Sequence, residues 1–270
     1  MLKDITIGQY FPGNSVVHRL DPRMKIILTT LFIVMLFVPN NPAGLAVGAA
    51  FALAGYLLSG IPVKMIGKSM KPVIPIIIFT AILNMLFVEG DPVLSFWIIK
   101  ITRQGIMLAV LMTIRILCLI AGTSLLTYTT SPIALTDAIE QLLGPLKRLK
   151  MPVHELAMMM TIALRFIPTL IEETDKIMSA KKARGADLES GGLMQRAKAL
   201  IPILIPLFVS SFRRADELAL AMECRCYHGG EGRTRMKQLR YAARDAVAML
   251  LLLLALGLVI ALNGIFPTVY

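Results

Sequence analysis

The sequence predicts an all-α, multi-span integral membrane protein with long cytoplasmic helices. Hydrophobic residues make up 56% of the 270 positions, and the mean hydropathy of +0.72 is too apolar for an ordinary soluble domain. The apolar residues fall in separate runs that end at Pro, Gly, Asn or charged residues. Charge is concentrated elsewhere: residues 131–245 hold eighteen Lys/Arg and thirteen Asp/Glu, against ten and four in residues 1–130. Charges of both signs in the second window indicate helices exposed to water.

Five membrane spans are predicted from the apolar runs, after a polar segment of turn-forming residues at 1–23. They are Met24–Val38, Ala43–Leu58, Val73–Val88, Gln104–Tyr128 and Tyr241–Leu262. Crossing a bilayer takes about 20 residues, so we expect the short first span to extend into its flanks. In the second span, Gly44, Gly48 and Gly55 are expected to let a neighbouring helix approach closely.

The positions of the basic residues predict the orientation of the chain. Arg19, Arg23 and Lys25 place the N-terminus in the cytoplasm, and the uncharged tail Asn263–Tyr270 then lies outside. We therefore expect a multi-pass protein of the cell membrane with a cytoplasmic N-terminus and an extracellular C-terminus. The predicted regions are a cytoplasmic segment (1–23), four spans (24–130), a cytoplasmic helical region (131–240), and a final span with an extracellular tail (241–270).

Three helices are predicted in the cytoplasmic region, at Ser131–Gly144, Pro152–Arg184 and Leu193–Cys226. The last two have an apolar first half and a charged second half. The apolar halves could simply pack on each other and on the spans. Alternatively, methionines and a proline-broken apolar stretch could receive a second membrane protein. The residues chosen as candidates for that contact are Met159, Phe166, Pro202, Pro206 and Leu207.

The two long helices end in similar segments, Ala183-Arg184-Gly185 and Cys224-Arg225-Cys226. In each, an aspartate (Asp175 or Asp216) stands nine positions before the arginine. A cation in the last turn of any helix complements the exposed carbonyls and the helix dipole, which would explain one such arginine. Two copies instead suggest a partner with two similar receiving sites.

No catalytic, nucleotide, cofactor or metal site is predicted. Gly67-Lys68-Ser69 lacks the preceding glycine of a phosphate-binding loop, and Met158 replaces the second histidine of the metalloprotease pattern that His154-Glu155 begins. The spacing of Cys224, Cys226 and His228 is not that of a structural zinc site. The net charge of +11 is not accompanied by a motif of nucleic-acid recognition. Orientation of the chain in the membrane and attraction to anionic lipid explain this positive charge better.

Arg115 is a charge near the middle of a predicted span, away from its ends. An arginine there is costly and usually functional or paired, but it could equally snorkel or face water. Away from their ends the predicted spans contain no acidic residue, which argues against a proton relay. A membrane anchor with a helical arm and two arginine tips indicates a mechanical coupler rather than an enzyme. The weaker alternatives are a self-contained secondary carrier, a membrane enzyme and a structural scaffold.

The chain resembles the T component (EcfT) of energy-coupling factor transporters along essentially its whole length. The resemblance is carried by Gly8-Gln9-Tyr10, by the segment His18-Arg19-Leu20-Asp21-Pro22-Arg23, by Ala183-Arg184-Gly185 and by Ala221–Gly230. It implies that the two long helices are coupling helices. It also implies that Arg184 and Arg225, with their small neighbours, dock in two cytoplasmic ABC ATPases. Cys224 and Cys226 depart from the commoner Ala or Gly but are also small.

The resemblance further implies a third partner, a membrane-embedded substrate-binding S component. Movement driven by ATP hydrolysis would pass through the coupling helices to that subunit, which takes up a vitamin or another micronutrient. The shared type of T component is the closer likeness, and the dedicated cobalt or nickel type is the alternative.

Overall fold

The computed structural model describes residues 10–39, 41–88, 92–96, 99–145, 151–185, 192–229 and 238–265. In this part of the chain nine α-helices are present, and the predicted all-α, multi-span class is confirmed. They are α1 (Pro22–Phe37), α2 (Pro42–Ser59), α3 (Val63–Met70), α4 (Ile74–Phe87), α5 (Arg103–Thr129), α6 (Pro132–Leu142), α7 (Val153–Ala183), α8 (Leu193–Glu223) and α9 (Ala243–Ile265). A 3-10 turn, Lys71–Val73, joins α3 to α4. A short antiparallel hairpin of β1 (Pro92–Phe96) and β2 (Ile99–Thr102), which was not predicted, precedes α5.

The helix boundaries follow from capping residues in the sequence. The side chains of Asp21, Asn41 and Thr102 accept hydrogen bonds from backbone N–H groups in the first turns of α1, α2 and α5. Helix α2 stops at Gly60, whose φ of 68° lies in the left-handed region that glycine adopts without strain.

The chain divides into two compact units. The first unit comprises Gly8–Ala138 and Leu239–Tyr270, and therefore contains α1 to α5 and α9. The second comprises Met1–Ile7 and Ile139–Gln238, with α7 and α8.

Five helices in the described residues are long and apolar enough to cross a membrane, and four of them correspond to predicted spans. The five are Pro42–Ser59, Lys64–Phe87, Arg103–Thr129, Val153–Ala183 and Ala243–Ile265. The first predicted span corresponds to α1, which has 16 residues and is shorter than these five helices. The fifth helix, α7, was predicted to be cytoplasmic. It is long and apolar enough to cross a membrane because its first half is apolar.

The core of the first unit lies where α1, α2, α5 and α9 meet. Its fully buried side chains include Leu36 and Val259. Gly48 of α2 lies against Leu36: a Cβ there would come within 2.6 Å of the leucine Cδ2. The glycine therefore permits close helix packing, as predicted.

A polar cluster lies where α1 and α9 begin and α5 ends. The ammonium group of Lys25, which is 5% exposed, donates to the backbone carbonyls of Thr129 (2.8 Å) and His18 (3.2 Å). Asp245 accepts from the backbone N–H of Asp21 at 2.9 Å. Burial acts to raise the pKa of Asp21, but the hydrogen bonds from Arg23 hold that pKa below its usual value. These contacts join three helix ends and mark this end of the first unit as its polar end.

Candidate docking site on the paired helices

Helices α7 and α8 have the same length and end in the same way. Each has 31 residues, and at 1.5 Å per residue each is about 46 Å long. Pro168 lies within α7, and Pro202 and Pro206 within α8. The two helices pack against each other inside the second unit.

The two arginines lie just beyond the helix ends, Arg184 one residue after α7 and Arg225 two residues after α8. The backbone N–H of Arg184 donates to the carbonyl of Lys181 at 3.1 Å, and that of Arg225 donates to Met222 at 3.1 Å. The next residue takes a left-handed backbone in both copies, with φ of 80° at Gly185 and 54° at Cys226. The structure thus repeats one terminal conformation with two different residues.

Both tips are exposed at every position of the two predicted docking triplets. The exposed residues are Ala183, Arg184, Gly185, Cys224, Arg225 and Cys226. Among the described residues, neither guanidinium group has a hydrogen-bond or ion-pair partner. A free guanidinium offers five donors and a permanent charge, so each tip can receive an acidic or carbonyl-lined groove.

An ion pair joins the two helices at matching positions. Arg214 of α8 lies 3.1 Å from Glu173 of α7, measured from Nη2 to Oε2. Glu173 stands eleven residues before Arg184, and Arg214 eleven residues before Arg225. The same number of residues, about 16 Å of helix, therefore separates each tip from this shared contact.

The proposed contact residues for a membrane partner lie in the apolar halves of these helices. Met159, Pro202 and Pro206 are exposed, whereas Phe166 and Leu207 are partly buried. Only 6% of the most apolar window of α7 is buried within the chain. Most of this window of α7 is therefore at least partly exposed. Packing of the apolar halves on each other and on the spans, and contact with a second membrane protein, both stay predictions.

The residues that were tested for other chemistry have structural partners or form no site. His154 Nδ1 lies 3.0 Å from Glu140 Oε1, which ties the start of α7 to α6. In the part of the chain that the structure describes, no group of three or more His, Cys, Asp or Glu side chains is placed to bind a metal ion. Cys224, Cys226 and His228 are among the described residues.

Arg115 is paired rather than snorkelling. Its Nη2 donates to the backbone carbonyl of Pro39 at 2.7 Å, and its guanidinium carbon lies 5.9 Å from the centre of the Phe37 ring. Pro39 follows α1, so the guanidinium satisfies a carbonyl at the negative end of that helix. Arg115 therefore stabilises the turn between α1 and α2.

The sequence analysis missed the pairing of Glu173 with Arg214. A signal was present, since aligning Arg184 with Arg225 also aligns Glu173 with Arg214 as opposite charges. It could have been found by extending the comparison of the two segments beyond Asp175 and Asp216.

Comparisons with known proteins identify the family. The profile described as "CbiQ: Cobalt transport protein" matches residues 13–236. Three relatives carry the name energy-coupling factor transporter transmembrane protein EcfT. The protein of Ruminiclostridium cellulolyticum is 53% identical over 98% of this chain and 100% of its own length. The protein of Thermosediminibacter oceani is 56% identical over 95% of this chain and 97% of its own length. The protein of Bacillus subtilis is 46% identical over 98% of this chain and 100% of its own length.

These names describe transmembrane components of transporters. The identities cover nearly the full length of this chain and of its relatives. The chain belongs to the EcfT family, the transmembrane components of energy-coupling factor transporters.

Proposed function

We propose that this chain transmits the motion of two cytoplasmic ABC ATPases to a substrate-binding S component that takes up a vitamin or another micronutrient. The observation that carries the proposal is the matched pair of tips on α7 and α8. Arg184 and Arg225 are exposed, have the same terminal backbone, and are equally far along the chain from the Glu173–Arg214 pair.

Two equivalent tips suit two similar motor subunits. In an acidic groove each guanidinium would make charge-assisted hydrogen bonds, and its small neighbours would let it enter deeply. Losing one partner of such a buried pair typically costs about 3–5 kcal/mol. In this proposal Ala183 and Gly185 flank one docking arginine, and Cys224 and Cys226 flank the other.

The apolar halves of α7 and α8 supply the other end of the coupling. Met159, Phe166, Pro202, Pro206 and Leu207 are proposed to contact the S component, because they lie on the same two helices as the tips. A rotation imposed at a tip would then reach the membrane partner through one continuous helix. The helix remains continuous past Pro168 in α7 and past both prolines in α8.

The proposed orientation follows from the docking. The tips must face the cytoplasmic ATPases, so residues 131–240 lie in the cytoplasm, as does the N-terminus, and the C-terminus lies outside. Cysteine-labelling from each side of intact cells, at an exposed position such as Arg19 replaced by Cys, tests this placement.

The docking is tested with the double substitution Arg184→Glu and Arg225→Glu in the co-expressed transporter. We expect both ATPases to be lost on purification while the chain stays in the membrane. A matched control is Lys176→Glu with Arg213→Glu, which makes the same charge change at exposed positions of the same helices. Equal ATPase recovery from the tip variant and the control would show that the tips do not dock.

A dedicated cobalt importer is the second candidate, because the description of the matching profile names cobalt transport. Uptake of labelled cobalt and of labelled vitamins by cells with and without this chain distinguishes the two. The shared vitamin role predicts that vitamin uptake depends on the chain and cobalt uptake does not.

A further inference from the structure

We propose that the lysine face of α3 is a binding site for the headgroups of anionic phospholipids. The lysine face consists of Lys64 and Lys68 of α3 and of Lys71, the residue that directly follows α3, and all three are exposed. Their spacing of four and three residues places them on one side of a helix, within an arc of about 60° at 100° per residue. The inference rests on the membrane placement of the chain and not on ATPase docking.

The opposite side of α3 is fixed against the first unit. Met65, Ile66 and Met70 pack on a buried cluster that includes Tyr56 and Tyr128. The Tyr128 hydroxyl donates to the backbone carbonyl of Met65 at 3.0 Å and is also hydrogen-bonded to the Ser69 hydroxyl. Because one side is held in this way, the lysine face is presented outward and cannot turn inward.

The lysine face lies where the chain enters the membrane. Lys64–Phe87 is one of the helices able to cross a bilayer, and from Pro72 to Phe87 it carries no charge. A lysine at the centre of the bilayer is strongly unfavourable, so the hydrocarbon boundary falls close to Lys71. Tyr128 lies in the last turn of α5, and its hydrogen bond to Met65 therefore places α3 beside that turn, at the polar end of the first unit.

Among the described residues, the lysine face has no acidic partner. The sequence contains no Asp or Glu between Asp21 and Glu89, and no ion pair of the three lysines occurs among the described residues. Three unneutralised ammonium groups at headgroup depth attract anionic phosphates, with a gain of about fivefold in binding per lysine. The charge complement of this face is therefore an acidic lipid surface.

The test measures lipid retained by the purified chain. The protein is equilibrated in mixed micelles that contain phosphatidylglycerol and phosphatidylcholine, and bound lipid is counted by native mass spectrometry. We expect preferential retention of phosphatidylglycerol, which falls as salt is raised. Replacing all three lysines with Gln should lower that preference by about 100-fold, and replacing one by about fivefold.

Two further sets of variants separate the effect of charge from an effect on protein production. The triple Lys→Arg variant preserves the charge and should keep the preference, while the single Gln variants cover the case in which the triple variant is poorly produced. Equal retention of the two lipids by the unmodified chain would overturn the proposal. So would a triple Gln variant that keeps its lipid preference but releases a co-purifying protein subunit, because the face would then be a protein interface.

Discussion

Among single residues, the arginines of the two tips are each followed by a residue with a left-handed backbone, and only one of these two following residues is glycine. Gly185 adopts its φ of 80° without strain, whereas Cys226 at 54° carries a side chain in a conformation that costs about 1–2 kcal/mol. Since the same backbone is formed with and without glycine, the conformation itself is what the two tips share.

We therefore expect Cys226→Gly to be accepted and Cys226→Val to be harmful. Glycine relieves the strain and loses only about 0.4–1 kcal/mol through the freedom of the unfolded chain. A β-branched residue is poorly tolerated at positive φ. Pull-down of the ATPases should be unchanged by Cys226→Gly and weakened several-fold by Cys226→Val. Equal recovery with both variants would show that this backbone does not matter for docking.

Lys25 has a structural role that was not evident from the sequence. It was used only as an orientation signal, yet its ammonium group is buried and bonded to the carbonyls of Thr129 and His18. We expect Lys25→Met to destabilise the protein by about 3 kcal/mol, because charge-assisted bonds are lost and Asp245 and Asp21 lose a nearby cation.

Thermal unfolding in detergent measures this loss, and Arg19→Met is the matched control because Arg19 is exposed in the same segment. A fall in melting temperature for Lys25→Met alone is the expected result. Equal melting temperatures for the two variants would mean that the buried ammonium contributes nothing to stability.

At the scale of the helices, the contact between α7 and α8 is what makes the tips a pair. The Glu173–Arg214 bond is partly exposed, with side-chain exposures of 20% and 39%, so by itself it is worth only about 0.2–1 kcal/mol. Its importance is in register, because it holds equivalent points of the two helices together.

A charge swap tests this register. Glu173→Arg places two cations in contact and should lower substrate uptake about two- to fivefold, while Glu173→Arg combined with Arg214→Glu should restore it. Uptake should be compared at equal ATPase recovery, so that docking and coupling are separated. If the double variant is no better than the single one, the helices do not depend on this pair.

Much of the helix pattern was predictable, since Pro132, Gly144 and Pro152 mark ends that local chemistry dictates. Hydropathy alone did not show that the continuous helix of α7, with its apolar first half, would also be long and apolar enough to cross a membrane. Long-range pairing was also beyond reach: the partner of Arg115 is a backbone carbonyl, and any residue type supplies one.

For the molecule as a whole, the proposed function makes the chain a passive transmission element. The chain carries no motif for nucleotide binding or catalysis, belongs to the EcfT family, and presents two exposed cationic tips. Under the proposed function, the energy source is on other chains. The lysine face of α3 adds an interface with lipid to those with proteins.

Contact of the two arginine tips with the ATPases can be measured by photocrosslinking from the neighbours of the two arginines. A photoreactive residue is placed at Ala183 or at Cys224, both exposed, with Lys176 as the control position in the assembled transporter. Covalent products with an ATPase subunit from both tip positions, and not from Lys176, are the predicted result. Products confined to this chain or to the membrane partner, while the ATPases still co-purify, would contradict the account.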